Sequence, residues 1–311
     1  MPLHPPGEPG TTEERRDSRP RLAVLGSINM DLRVLAAHLP APGETILGSG
    51  FSTGQGGKGA NQAIAAANAG ARVTMIGAVG DDAFGTELVE ALGVAQVATD
   101  NIRRLAGPSG IAIITVDDEA ENTIVVAPGA NGLLSGLTAT DLAIIGNSEL
   151  LILQLEIPLE TVQAAAECAS AAGVPVLLNP SPAARLPARL LAAVTVLVVN
   201  EGEARTLGPD SLAAVPHLVT TLGSTGARYR GPAGEEIAAT PPPVTPIDTT
   251  GAGDAFTGAF AVAWLAGDNP ARALQWACAA GALATTRTGA AAPTRAEIDD
   301  AVRAAWTENA G

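Results

Sequence analysis

A series of stretches along this chain is almost continuously apolar: RLAVLGSI (21–28), RVTMIGAVG (72–80), ELLILQLE (149–156), PVLLNP (175–180), TVLVVN (195–200) and HLVTTLG (217–223). They do not alternate polar and apolar residues as a half-exposed strand does, so each predicts a strand covered on both faces. Between them lie stretches that read as helices, at 59–70, 83–92 and 161–173, with Gly70 as a stop for the first. Strands and helices in alternation predict an α/β fold, a doubly wound and mostly parallel central sheet flanked by helices. Beyond Gly251 the pattern turns helical, over 253–266, 270–287 and 294–308. Two segments break the rhythm. Residues 110–129 are two β-like runs around an acidic turn, a hairpin. Residues 32–53 look extended, with turns at Pro40, Pro42 and Gly43. With no helices of their own, these segments predict a small β-sheet projecting from the main domain as a lid. The Pro-rich stretch 241–246 reads as a linker between a surface strand and the helical end.

Composition narrows the picture. The chain has 311 residues, 47 % of them hydrophobic, enough for one large core spanning 21–311. Residues 1–20 are polar, charged and Pro-rich and predict a disordered tail. A net charge of −14 argues against general binding to nucleic acid or to an anionic membrane. No apolar run reaches the roughly 18 residues of a membrane span, and no apolar leader is visible at the N-terminus. Cys168 and Cys278 both lie in Ala-rich helical stretches and make no disulfide framework, which fits a reducing cytoplasm. His4, His38 and His217 form no metal-binding pattern.

Two glycine-rich turns carry candidate chemistry. In DTTGAGDAFTG (248–258) such a turn opens directly into an Ala-rich helix. The N–H groups of Gly251, Ala252 and Gly253 would sit at the positive end of that helix, suited to a phosphate or a developing oxyanion. Asp254 in the first turn could accept a proton from an attacking hydroxyl. The same residues also describe a simple capped helix. The second turn, GQGGKGAN (54–61), matches GxGxxG at Gly54, Gly56 and Gly59, but 49–53 makes a poor strand, against a dinucleotide site. A phosphate-binding P-loop fails too, with Ser52 in place of its first glycine and Gly59 after Lys58. What remains is a turn carrying Lys58 and Asn61 to a helix start, able to hold a hydroxyl-rich ligand or simply to turn. Lys58 is the only lysine of the chain, so it is not one surface lysine among many. Polar residues also recur where strands end: Asn29 and Asp31, Glu156, Asn200 and Glu203, then Thr221, Gly223 and Ser224. Carboxyl ends of strands line the ligand crevice of open α/β sheets.

Taken in order, GSINMDL (26–32), GGKGANQA (56–63), GDDAFG (80–85), QLEIP (154–158), LNPSPA (178–183), NEGEA (200–204), TLGSTGA (221–227) and DTTGAGDAFTGA (248–259) resemble the ribokinase-like (PfkB) carbohydrate kinase family over 21–308. GGKGANQA and GSINMD resemble its ribose-phosphorylating branch more than its fructose or nucleoside branches. The resemblance implies ATP-dependent phosphorylation of D-ribose at its terminal hydroxyl. It makes Asp254 the base and Gly251, Ala252 and Gly253 the anion hole. It assigns Asn29, Asp31, Gly57, Lys58, Asn61 and Glu156 to the sugar. Asn200 and Glu203 would help place Mg²⁺ and phosphate, and Thr221, Gly223, Ser224 and Gly226 would form the nucleotide site, with Cys278 near the adenine. Asp248, Thr250, Ala284, Arg287 and Gly289 match an activating K⁺ site, the last three mostly through backbone carbonyls. The family often pairs its lids, which implies a homodimer.

Two departures accompany the resemblance. The segment between Glu203 and His217 is shorter than the family's by about a helix, with room for little more than one short helix on the nucleotide side. Residues 289–294 read GAAAPT, where the family tends to GAQPS, and the usual Ser ligand of the cation has no counterpart. The readings are therefore a ribose kinase, a kinase of another pentose, a ketohexose or a nucleoside, or a non-catalytic sugar-binding homologue.

Overall fold

The computed structural model describes residues 17–119, 121–267 and 269–307. Most of the expected tail and residue 308 of the last expected helix lie outside that range. The chain begins with β1 (Arg21–Leu25), β2 (Asn29–Leu35), β3 (Gly50–Gly56), α1 (Lys58–Asn68), β4 (Arg72–Gly80), α2 (Ala83–Val94) and β5 (Ala98–Leu105). It continues through β6 (Gly110–Val116), β7 (Asn122–Ala127), a 3-10 turn (Gly129–Leu133), α3 (Ala139–Asn147), β8 (Leu150–Leu153), α4 (Leu159–Ala171) and β9 (Val176–Leu178). Then follow α5 (Ala188–Ala193), β10 (Val196–Asn200), α6 (Glu201–Ala213), β11 (His217–Thr221), β12 (Ala227–Arg230) and β13 (Glu236–Ala239). Three helices close the fold: α7 (Ala252–Leu265), α8 (Pro270–Ala284) and α9 (Arg295–Thr307).

The large sheet has the order β13-β12-β11-β10-β9-β8-β1-β4-β5. It is parallel from β11 to β5, and β12 and β13 add antiparallel at one edge. Side chains of β1 alternate between two cores. Leu22 and Val24 join one formed with α1, α7 and α8, whereas Ala23 and Leu25 join another formed with α4 and α5. Both faces are thus covered, as the uninterrupted apolar runs predict. From β1 the chain runs outward to β4 and β5 on one side, and the later strands build from β8 on the other. The switch between β1 and β8 is where an open α/β sheet forms its crevice.

The smaller sheet has the order β3-β2-β6-β7 and is built from the two segments that carry no helices. The apolar run at 21–28 does not continue as one strand. It breaks after Leu25, and Asn29 already starts β2, so Asn29 and Asp31 belong to the small sheet rather than to the end of β1. Of the stretch 49–53, read as a poor strand, residues 50–53 lie within β3, immediately before α1. This strand–turn–helix still makes no dinucleotide site, because β3 pairs antiparallel in the small sheet. One face of the small sheet remains open: Phe51 is 68 % exposed and Val125 65 %, and Ile113 is exposed beside them.

The segment after Glu203 forms α6, broken at Gly208 (φ 77°) just before Pro209. The short loop therefore still supplies helix across 201–213. Strand β5 and helices α3 and α5 have no counterpart in the sequence reading. In ATDNIRRL the burial alternates only weakly, and α5 is only six residues long.

Candidate active site

The centre of the site is the start of α7. Gly251 is its N-cap in a left-handed conformation (φ 73°), and a Cβ there would lie 2.6 Å from the Cβ of Ala290. Only glycine meets both demands. The N–H groups of Gly251 and Gly253 find no acceptor among the described residues, whereas Ala252 N–H donates to the Thr249 carbonyl at 3.2 Å. The expected three-donor hole therefore reduces to two open donors, because the turn at 249–252 engages the middle one. Asp254 follows in the first turn and is buried.

Two amides hold Asp254. Asn61 Nδ2 donates to Oδ2 at 3.0 Å and Gln62 Nε2 donates to Oδ1 at 2.9 Å. Gln62 Nε2 also reaches Asn179 Oδ1 at 3.0 Å, and its Oε1 accepts from Gln154 Nε2 at 2.7 Å. Burial pushes the Asp254 carboxyl above the ordinary range. The Lys58 charge and the two amides oppose that rise, and the charge of Glu156 adds to it. A buried carboxylate with a raised affinity for protons is the property a base requires. Asn61 Oδ1 and Gln154 Oε1 are buried acceptors still without a donor among the described residues.

Glu156 follows β8 and bridges the β1–β8 switch. Its Oε2 accepts from Ser27 Oγ at 2.5 Å and from Lys58 N–H at 3.1 Å. Gly57, the N-cap of α1 with φ 87°, sits so close to the chain after β1 that a Cβ would lie 2.7 Å from Asn29 N. Asn29 is buried and accepts from Asn131 Nδ2 at 2.7 Å; Asn131 also binds both backbone groups of Ile28. Asp31 is pushed up to about 6, first by burial and then by the charges of Glu156 and Asp254.

Three cavities meet around this centre. The middle one, 170 Å³, is lined by Lys58, Asn179, Asn200, Glu203, Gly251 and Asp254. A second, 430 Å³, is lined by Thr221, Gly223, Ser224, Gly226, Phe256 and Cys278, so the expected nucleotide residues come together there. Gly253 and Thr221 line both. The third, 520 Å³, lies between the small sheet and the loops at 246–250 and 288–290, with Asp31 on its wall. Asn200 and Glu203 form a capping box at the start of α6: Asn200 Oδ1 accepts from Glu203 N–H at 2.8 Å, and Glu203 Oε2 accepts from Asn200 N–H at 2.9 Å. That uses one oxygen of Glu203 and leaves the other for the cavity. Among the described residues no group of His, Cys, Asp and Glu could by itself hold a metal ion. A single carboxylate does suit Mg²⁺ carried in on phosphates, since this ion keeps most of its ligands from water and substrate.

The residues expected to hold K⁺ fit that ion less well. Asp248 Oδ2 accepts from Arg33 Nη1 at 2.9 Å and from Gly289 N–H at 3.0 Å, and Oδ1 accepts from Thr250 N–H at 2.9 Å. The Ala284 carbonyl accepts from Arg287 N–H and the Gly289 carbonyl from Ala291 N–H. The Arg287 side chain turns away, to the Ala292 carbonyl and the Glu297 carboxylate. The negative charge that would attract the cation is already paired. Burial would raise Asp248, but hydrogen bonds from Thr250 and Gly289 and the Arg33 charge outweigh it and hold the carboxyl below the ordinary range.

Sequence reasoning missed the supports of the site: Gln62, Gln154, Asn179, Asn131, Ser27 and Arg33. A signal existed for some. Asn61 and Gln62 are adjacent amides in an otherwise alanine-rich helix, and Gln154 and Asn179 stand at the ends of apolar strands.

Comparison with known proteins agrees with this geometry. Residues 19–297 match the model of the pfkB family carbohydrate kinases. A ribokinase of Schizosaccharomyces pombe is 40 % identical over 308 residues, covering 89 % of this chain and 96 % of the relative. A ribokinase of Bacillus subtilis is 40 % identical over 289 residues, covering 90 % and 98 %. The structure of Arabidopsis thaliana ribokinase complexed with ribose and ATP superposes with a TM-score of 0.85 at 32 % identity, covering 92 % of this chain and 99 % of that one. With a buried carboxyl, two open N–H groups at a helix start and adjoining cavities in one cleft, and with the family model matched over residues 19–297 and relatives covering about 90 % of it, the chain belongs to the pfkB family of carbohydrate kinases and is a sugar kinase.

Proposed function

We propose that the chain transfers the terminal phosphoryl group of ATP to O5 of D-ribose, giving ribose 5-phosphate and ADP. The observation that carries this reading is Asp254, buried at the start of α7 beside the 170 Å³ cavity that joins the nucleotide cavity, with its oxygens fixed by Asn61 and Gln62. Asp31, Lys58, Asn61 and Glu156 surround the acceptor side and offer the carboxylates, amide and ammonium that read sugar hydroxyls. The unpaired acceptors of Asn61 and Gln154 add to that demand for donors. A site that must pair such groups rejects an analogue lacking a hydroxyl. Relatives named ribokinase at 40 % identity, and a neighbour bound to ribose and ATP, support ribose over other acceptors.

In this reading O5 of the sugar hydrogen-bonds Asp254, which takes its proton as the oxygen attacks phosphorus. The N–H groups of Gly251 and Gly253 face the equatorial oxygens of the group in flight and stabilise their charge. Glu203 and Asn200 stand where Mg²⁺ on the phosphates would be held; bound there, the ion neutralises phosphate charge. Lys58 keeps the cluster of Asp31, Glu156 and Asp254 from excess negative charge. The small sheet, 29–56 and 110–127, acts as a lid that excludes water from the transfer. Its open apolar face, with Phe51, Ile113 and Val125, is covered by the same face of a second copy, so the protein is a homodimer. The free cysteines, one of them buried, suit the reducing cytoplasm in which ATP is abundant.

A coupled ADP-release assay with ATP and Mg²⁺ tests the reading, with D-ribose beside 2-deoxyribose, fructose and adenosine. Release dominated by ribose is expected. Release dominated by another acceptor keeps the chemistry and replaces the substrate. Sugar binding without ADP release from any acceptor points to a binding protein.

A further inference from the structure

Resting on the kinase reading, we propose that Arg33 supplies the positive charge at Asp248 that a bound monovalent cation would otherwise give, so that turnover does not require K⁺. Asp31 and Arg33 are two residues apart on β2 and therefore share a face, and both line the 520 Å³ cavity under the small sheet. From there Arg33 spans to the main domain and donates from Nη1 to Asp248 Oδ2 at 2.9 Å. The Asp248 side chain is only 9 % exposed, and Arg33 Nε is buried without a partner among the described residues. The pair is partly buried, with Arg33 28 % exposed, and a charge-assisted bond there is stronger than at the open surface.

The position of Asp248 gives the pair its consequence. Asp248 also accepts from Thr250 N–H and Gly289 N–H, and the turn it stabilises ends in Gly251, whose N–H belongs to the anion hole. Leaving that largely buried carboxylate without a countercharge would loosen the turn. A cation from solvent could prevent this, but a guanidinium tethered to β2 already does. It arrives with the lid strand rather than from solution, and its charge does not vary with salt composition. The absence of a serine equivalent at 289–294, and the hydrogen bonds already accepted by the Ala284 and Gly289 carbonyls, leave little else to hold a free ion. Arg33 is a positioning residue here: it acts through Asp248 and the 248–251 turn.

The test uses the full chain in K⁺ or tetramethylammonium chloride at equal ionic strength, with ribose-dependent ADP release and the melting temperature of the substrate-free protein as separate readouts. Wild-type turnover should differ by less than about twofold between the salts, and Arg33→Leu should lose about tenfold in tetramethylammonium and regain most of it in K⁺. The melting temperature should respond to K⁺ in Arg33→Leu and not in wild type, whereas Arg33→Lys should behave as wild type. Wild-type activity that needs K⁺, a wild-type melting temperature that K⁺ raises, or an Arg33→Leu defect that K⁺ does not relieve would each overturn the proposal. Should Arg33→Leu fail to fold, the wild-type comparison and Arg33→Gln still decide. If ribose is not turned over, the melting readout decides the cation question, and the ribose result bears only on the acceptor.

Discussion

At the acceptor end of the cleft, the charges of Asp31, Glu156 and Asp254 act on one another, and Asp254 is held by buried amides and offset by the Lys58 charge. At the nucleotide end the wall is Pro241, Pro242, Pro243, Val244, Phe256 and Cys278, with the glycines of the 223–226 turn. The first end spends its residues on directional pairing, which discriminates between hydroxyl patterns but is costly to leave unmatched. The second relies on shape and apolar contact, which tolerates substitution. If this contrast governs function, damage at the acceptor end should be large and specific, and damage at the nucleotide end small.

The largest effect should come from Asp254→Asn. The amide keeps the volume but cannot take the proton, so kcat should fall by about 10³-fold while ribose binding changes by no more than a few fold. Calorimetry with ribose and steady-state ADP release separate the two quantities. Turnover near the wild-type level would remove Asp254 as the base and the acceptor end as the seat of chemistry.

Gln62→Leu comes next. Its amide holds Asp254 and Asn179 together and is itself held by Gln154. Loss of one member of a buried network costs about 1–3 kcal/mol in stability. Turnover should drop by about tenfold through misplacement of Asp254, with the KM for ATP nearly unchanged. An equal rise in both KM values would show that the two ends are not separately built.

Much of this arrangement was legible in the sequence, for a physical reason. Buried parallel strands must be apolar along their whole length, so β1, β4, β8 and β10 announce themselves, and a turn that needs positive φ must show glycine, as at Gly251. Long-range polar pairing leaves no such trace. Arg33 reads as an ordinary residue of an extended segment, and its partner lies 215 positions away. The start of β2 was hidden because the apolar run 21–28 carries no mark at Leu25, where the chain leaves one sheet for the other. Asn200 and Glu203 were legible as a spaced pair, yet only the structure shows that each caps the other.

At the nucleotide end, Cys278→Ser should change little. The thiol is buried, and burial pushes it up to about 12, so it stays protonated and acts as a small apolar surface. The KM for ATP should rise by about twofold and the KM for ribose should not move. A loss above about tenfold in ATP affinity would mean that this end, too, depends on a specific contact.

The smallest effect tests the acceptor end without any turnover. Burial and the neighbouring charges of Glu156 and Asp254 raise Asp31 to about 6 in the empty protein. The folded state then prefers the neutral acid more than the unfolded chain does. That preference contributes stability in full below the ordinary carboxylate range and loses it as the pH climbs through about 6. Above that pH the empty site carries a penalised charge. Asp31→Asn removes the penalty, so at pH 8 the substrate-free variant should be the more stable of the two by about 1 kcal/mol, a partly exposed group being screened well below its full shift. The gain is a rise of about 2 °C in melting temperature that shrinks as the pH falls through about 6 and vanishes below the ordinary carboxylate range. Saturating ribose should reverse the order at pH 8, because the wild-type carboxylate gains sugar hydroxyls as donors and the amide pairs with them less well. A variant no more stable than wild type at pH 8, or one that ribose stabilises equally, would mean that Asp31 is neither strained in the empty site nor relieved by the sugar.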